Sequence, residues 1–126
     1  MSGFIGGLHA RLIRDDRDGL WELLEPLSFQ SDLLGRIITA PKGHRTDFCS
    51  VPRVPLAYDM LGNRARMAGT IHDFLYVSHE TTREQADEVL REMLVLDGVS
   101  ECEAQQFYLA VRMFGAKHWN PEPEIA

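Results

Sequence analysis

No apolar run in this chain approaches the ~20 residues that a membrane-spanning helix requires, so no transmembrane segment is expected. Positive charge is also short: 13 lysines and arginines face 19 aspartates and glutamates, giving a net charge of −6. No basic stripe emerges, which argues against a nucleic acid as partner. Arg11, Arg14 and Arg17 are interleaved with Asp15, Asp16 and Asp18 and cancel locally, leaving Arg64 and Arg66 as the one small basic pair. Cysteine is nearly absent. Cys49 and Cys102 could form one disulfide, but the count fits reduced thiols in a cytosolic protein at least as well. The opening Met1-Ser2-Gly3-Phe4-Ile5-Gly6-Gly7 has neither a charged leader nor a long apolar core, so a secretion signal is not expected. Internal repeats and low-complexity segments are lacking as well.

What is present is an ordinary globular composition. With 126 residues, 44% of them hydrophobic and 25% charged, the chain suffices for a single domain with its own core. The first half reads as strand and loop. His9 to Arg14 and Leu20 to Leu24 form a hairpin candidate around Asp15-Asp16-Arg17-Asp18-Gly19, whose Asp-Gly step supplies positive φ. Pro26 cuts the second strand short, and Arg36-Ile37-Ile38-Thr39-Ala40 is a further strand closed by Pro41 and Gly43. One small antiparallel sheet of three or four strands is expected.

The second half reads as helix. Ala65 to Val77 carries Met67, Ala68, Ile71, Phe74 and Leu75 at helical spacing. Thr81 with Glu84 is a capping-box signature ahead of Ala86, Val89, Leu90, Met93 and Leu94, and Gly98 stops that helix. Ser100 with Glu103 opens a third helix that ends at Gly115. Phe107, Tyr108, Val111 and Phe114 read as its core residues, while Trp119 beside Pro121 could serve as a docking anchor. The fold class is therefore α+β: a small N-terminal antiparallel β-sheet packed on three C-terminal helices.

Within these apolar segments one imidazole, three carboxylates and a phenol are concentrated. His72 and Tyr76 are four apart and share a helix face, with His72 at the margin of the apolar stripe. The link Ser78 to Thr82 is short, so the next helix should lie antiparallel and could bring Asp87 against His72. A carboxylate on one imidazole nitrogen fixes the tautomer and leaves the other nitrogen free as base or ligand. Asp73 points elsewhere, available to a cation. Asp87 could instead pair with Arg83 or Arg91, each four residues away. Asp47 and Ser50 could be turn-formers ahead of Val51-Pro52, or Asp47 could join His72, Asp73 and Asp87 as a metal set suited to Zn²⁺ or Mn²⁺. The adjacent His-Asp invites comparison with HD-type phosphohydrolases, but His9, His44, His79 and His118 do not supply the further ligands those need. Cys49 or Ser50 as nucleophile lacks any supporting motif.

The run His72-Asp73-x-x-Tyr76 followed by Ala86-Asp87 resembles phospholipase A₂, especially its disulfide-poor viral and microbial forms. That resemblance covers about residues 65 to 90. It implies that His72 activates water, Asp73 holds Ca²⁺, and Asp87 orients His72 with help from Tyr76. The glycine-rich Ca²⁺ loop of that family has no counterpart in Thr46-Asp47-Phe48-Cys49-Ser50-Val51-Pro52-Arg53.

A second resemblance spans most of the chain. Trp21, Pro26-Leu27, Pro41-x-Gly43, Thr46-Asp47-Phe48-x-Ser50-Val51-Pro52-Arg53, His72-Asp73-x-x-Tyr76, Ala86-Asp87 and Tyr108-x-Ala110-Val111-Arg112 are similar to a tailed-phage and prophage family, domain of unknown function 1353. It implies a viral or prophage origin, often among tail and lysis genes, with no established reaction. With no secretion signal, the chain is expected in the host bacterial cytoplasm, where it could be built into the virion. Two roles follow as expectations. One is a metal-assisted hydrolase acting on a lipid or other cell-envelope ester. The other is a non-catalytic virion or tail-assembly protein, partnered by other phage proteins, in which the same residues form a buried polar network. A catalytic His72 should line a cleft; a structural one should be sealed.

Overall fold

A computed structural model describes residues 2–14, 20–46 and 63–119. The described strands are β1 (Gly3–Ile5), β2 (Ala10–Arg14), β3 (Leu20–Leu23), β4 (Leu27–Ser31), β5 (Arg36–Ala40) and β6 (Arg45–Thr46). Three helices follow, α1 (Asn63–Ser78), α2 (Arg83–Leu96) and α3 (Glu101–Phe114), the last running into a 3₁₀ turn over Gly115–His118. The layout is α+β, strands first and helices after.

The strands make two antiparallel sheets, in the orders β1-β4-β5 and β2-β3-β6, where a single sheet was expected. Pro26 marks the division between them. It ends β3, as its missing N–H requires, but the chain resumes at once as β4. In β4 and β5 the side chains alternate: Leu27, Phe29, Ile38 and Ala40 are buried, while Ser28 and Thr39 pair outward through their hydroxyls at 2.8 Å. The short β1 adds Phe4, whose ring lies 5.0 Å from that of Phe29. This sheet packs on α1. In the other sheet Leu23 donates to His44 O at 2.9 Å and accepts from Gly43 N at 2.8 Å, which ties the Pro41–His44 turn to β3. Gly43, at φ 90°, supplies the left-handed step of that turn. The proposed Asp15–Gly19 turn lies outside the described residues.

Helix α1 is the central element, between the first sheet and α2. Ala68, Gly69, Thr70, Ile71 and His72 are buried in succession, so the helix has no single apolar stripe. His72 therefore sits inside the core rather than at the margin of an apolar stripe, a correction to the sequence reading. Helix α2 begins one residue later than expected: Thr82, not Thr81, is the N-cap, with Gln85 N–H bonding its hydroxyl and its own N–H bonding Gln85 Oε1. Both Thr81-x-x-Glu84 and Thr82-x-x-Gln85 satisfy the capping-box pattern, so the sequence leaves this register undetermined. Gly98, at φ 93°, follows the end of α2, and Ser100 caps α3 by accepting from Glu103 N–H. Phe107 and Val111 are core, as expected. Phe114 is not: it is 58% exposed, because the helix ends there and its last turn rotates that ring outward.

Candidate functional site

The antiparallel pairing of α1 and α2 places Asp87 directly against the His72–Tyr76 face. Asp87 Oδ1 accepts from Tyr76 Oη at 2.5 Å and lies 2.8 Å from His72 Nε2. Asp87 Oδ2 accepts from Arg112 Nη1, on α3, at 2.9 Å. His72 and Asp87 are fully buried, and Tyr76 is nearly so. The alternative pairing of Asp87 with Arg83 or Arg91 is not what forms. Arg83 reaches the end of α3 and donates to Val111 O at 2.8 Å and Arg112 O at 2.9 Å, a cation on the carbonyls of the last helical turn. Arg91 bonds Gln105 at 2.6 Å instead. Arg83 thus holds the backbone from which Arg112 extends.

The electrostatics follow from this convergence. Burial pushes the Asp87 carboxyl up, but the hydrogen bonds from His72, Tyr76 and Arg112 outweigh it and hold the group below the usual carboxylate range. Burial, reinforced by the Asp87 charge, pushes the Tyr76 phenol well above its ordinary value, so it stays a donor. Arg112, beside Asp87, is held protonated more firmly than a free guanidinium. Asp87 is acceptor only, so the imidazole proton belongs on Nε2. His72 Nδ1 is buried with no hydrogen-bond partner in the described structure.

A wall of aromatic and small residues backs the cluster. The Tyr76 ring lies 4.4 Å from His72 and 5.2 Å, edge-on, from Trp119. Trp119 stacks flat on His79 at 4.0 Å, so its ring is engaged inside the fold, not presented as an anchor. His79 has φ 56°, and this left-handed residue lets α1 end and the chain turn toward α2. Gly115 approaches so closely that a Cβ there would lie 2.7 Å from Tyr76 Oη.

Asp73, one residue on from His72, faces a different neighbour. Its Oδ2 lies 3.2 Å from His44 Nε2, within ion-pair reach but off the line of a hydrogen bond. The structure thus separates the sequence candidates. It joins His72, Tyr76 and Asp87, and turns Asp73 toward His44. Asp47, with Ser50 and Cys49, lies outside the described residues. Cys102 is free and exposed. Among the described residues no three His, Cys, Asp or Glu side chains group as metal ligands. Sequence reasoning gave Arg112 and His44 no role in the site, and took Gly115 only as a helix stop. Arg112 does appear in the family motif Tyr108-x-Ala110-Val111-Arg112 and stands in the last turn of an amphipathic helix, where a cation is favoured, but neither signal specifies its partner.

The fold and site define an α+β protein built around a buried carboxylate–histidine pair. A family model described as "Protein of unknown function (DUF1353)" matches residues 21–111. The chain belongs to that family, and the match takes in His72, Tyr76 and Asp87 and stops one residue before Arg112. Neither the curated proteins nor the solved structures contain a match. No described helix is long and apolar enough to cross a membrane.

Proposed function

We propose that this chain is a phage or prophage hydrolase of a lipid or other cell-envelope ester, with His72 as general base. The observation that carries the reading is the arrangement around Asp87: three donors hold the carboxylate, His72 Nε2 is one of them, and Nδ1 is left over. Neutral His72 takes a proton from water at Nδ1 while the water oxygen forms a bond to the ester carbonyl carbon. Asp87 stabilises the imidazolium so formed, and Tyr76 and Arg112 fix Asp87. The imidazolium then returns its proton to the departing alkoxide as the carbon–oxygen bond breaks, leaving acid and alcohol. Because His72 is wholly buried, the cycle requires an opening that admits water and substrate to Nδ1.

The phospholipase-like reading adds Ca²⁺ held by Asp73, and the other metal reading adds Zn²⁺ or Mn²⁺ held by Asp47, His72, Asp73 and Asp87. The described donors do not by themselves make up such a centre: Asp73 is turned to His44, and Asp87 to Tyr76, His72 and Arg112. No step above is routed through a metal.

The burial of His72 and Asp87 favours a second reading, a non-catalytic virion or tail-assembly protein with the cluster as a structural network. His72→Gln separates the two, since the Gln amide can still donate to Asp87 while the Nδ1 base is gone. Hydrolysis is measured on fluorogenic esters and phospholipid vesicles, beside a thermal melt. The hydrolase reading expects wild-type turnover that falls at least about a hundredfold, the usual worth of a general base, with the melting midpoint little changed. Wild-type protein inert on both substrates, or turnover untouched by the substitution, would leave the structural role standing.

A further inference from the structure

A groove runs between α2, the start of α3 and the turn joining β4 to β5, and encloses about 790 Å³. Its apolar surface is Leu33, Val95 and Leu96, which are 52%, 39% and 45% exposed. Four carboxylates line it, those of Asp32, Glu88, Glu92 and Glu101, against the single guanidinium of Arg91. Two of the four are committed internally. Glu92 accepts from Ser2 Oγ at 2.6 Å, Ser31 Oγ at 2.7 Å, Asp32 N at 3.0 Å and Leu33 N at 3.2 Å. Asp32 accepts from Ser2 N at 2.9 Å. These bonds pin the N-terminal arm and the turn to α2, so the groove is formed before anything enters it. Glu88 and Glu101 have no partner among the described residues. The Arg91 guanidinium is itself committed, bonded to Gln105 and lying 4.6 Å over the Tyr108 ring.

We propose that this groove docks an amphipathic helix of a partner protein, with aliphatic side chains on Leu33, Val95 and Leu96 and lysines or arginines beside Glu88 and Glu101. Charge complementarity selects a basic occupant, and the exposed aliphatic floor requires it to be apolar on one face. The walls are two helices and a turn, so recognition runs through side chains, the helix-in-groove mode, rather than through an open strand edge. The inference does not depend on what His72 does.

The probe is a fluorescein-labelled synthetic helix of about 15 residues, leucines at i, i+4 and i+7 and lysines on both flanks, titrated by anisotropy into the intact chain. Glu88→Lys, Leu96→Ser and, as a second floor variant, Leu33→Ser should each weaken binding about tenfold. Glu25→Lys changes the net charge equally but stands away from the groove, and should leave binding unaltered. Melts confirm that each variant is folded. Absence of binding, equal weakening by Glu25→Lys, or indifference to both floor variants would overturn the proposal. Self-association of the wild type that Glu88→Lys and Leu96→Ser abolish would also overturn it, by showing a second copy of the chain as the occupant.

Discussion

Two histidine–aspartate pairs stand on neighbouring residues of one helix, and they are built differently. His72–Asp87 is fully buried, and its carboxylate accepts from an imidazole, a phenol and a guanidinium. His44–Asp73 lies toward the sheet, with side chains 7% and 18% exposed and a contact that misses hydrogen-bond alignment. Consecutive helix positions point about 100° apart, which sends one member of the His-Asp dipeptide to α2 and the other to the turn before β6. The contrast teaches what a buried charge demands. Asp87 can be ionised inside the core only because three donors replace its water. Asp73 is partly open to solvent and keeps some of its water.

The comparison is broken most severely at Asp87. Asp87→Ala leaves Arg112 charged and unpaired and strands the Tyr76 hydroxyl, at an expected cost of about 3–5 kcal/mol, measured by urea denaturation. The pH dependence carries the same signature. The Asp87 pKa is lowered in the fold, so its contribution is present above the ordinary Asp value of 3.8 and fades as pH falls through the folded value. Asp87→Asn should remove this acid limb along with much of the neutral-pH stability. Tyr76 works in the opposite direction: its raised pKa gives a contribution that is present below pH ~10 and declines as pH rises beyond it.

A smaller break comes from Gly115. The Cβ of an alanine there would meet Tyr76 Oη at 2.7 Å. A phenol at the end of a flexible side chain could swing aside, but this one is buried and tied to Asp87, so the clash has to be relieved by shifting the 3₁₀ turn or losing that bond. Gly115→Ala should cost about 1–3 kcal/mol, the range for overpacked cores. Tyr76→Phe in the same chain removes the oxygen that clashes. The double variant should therefore be less destabilised than the two single changes summed, a coupling that a double-mutant cycle reads directly. Strict additivity would show that Gly115 is needed for the turn and not for the phenol.

How much of this the sequence discloses depends on whether a residue's partner is local. His72, Tyr76 and Asp87 are legible because helical spacing and a short link bring them together with no knowledge of the rest of the chain. The helices are legible for the same reason, to within one residue at Thr82. Arg112 and His44 are not, since each meets its partner only through tertiary packing, 25 and 29 residues away in sequence. Phe114 fails as a core residue because periodicity says which face it is on, not that the helix stops beneath it. The second sheet is hidden behind Pro26, which is read correctly as ending a strand but gives no sign that another begins at Leu27. Gly115 shows the general limit: its role is a close approach, and no spacing pattern encodes the distance between a glycine and a phenol 39 residues earlier.

The smallest effect is expected at the other pair. Asp73→Ala and His44→Ala should each cost about 1 kcal/mol or less, with a coupling within that bound, as for pairs whose charges keep some contact with water. The contact lacks hydrogen-bond geometry, so little directional energy is lost. His44 also rests edge-on against Phe74, at 5.6 Å between ring centres, a contact that His44→Ala removes and Asp73→Ala does not. His44→Ala should accordingly be the more costly of the two. A measured coupling that rivals the Asp87 effect would mean that the pair is organised by more than these two side chains, and the contrast between the neighbours on α1 would collapse.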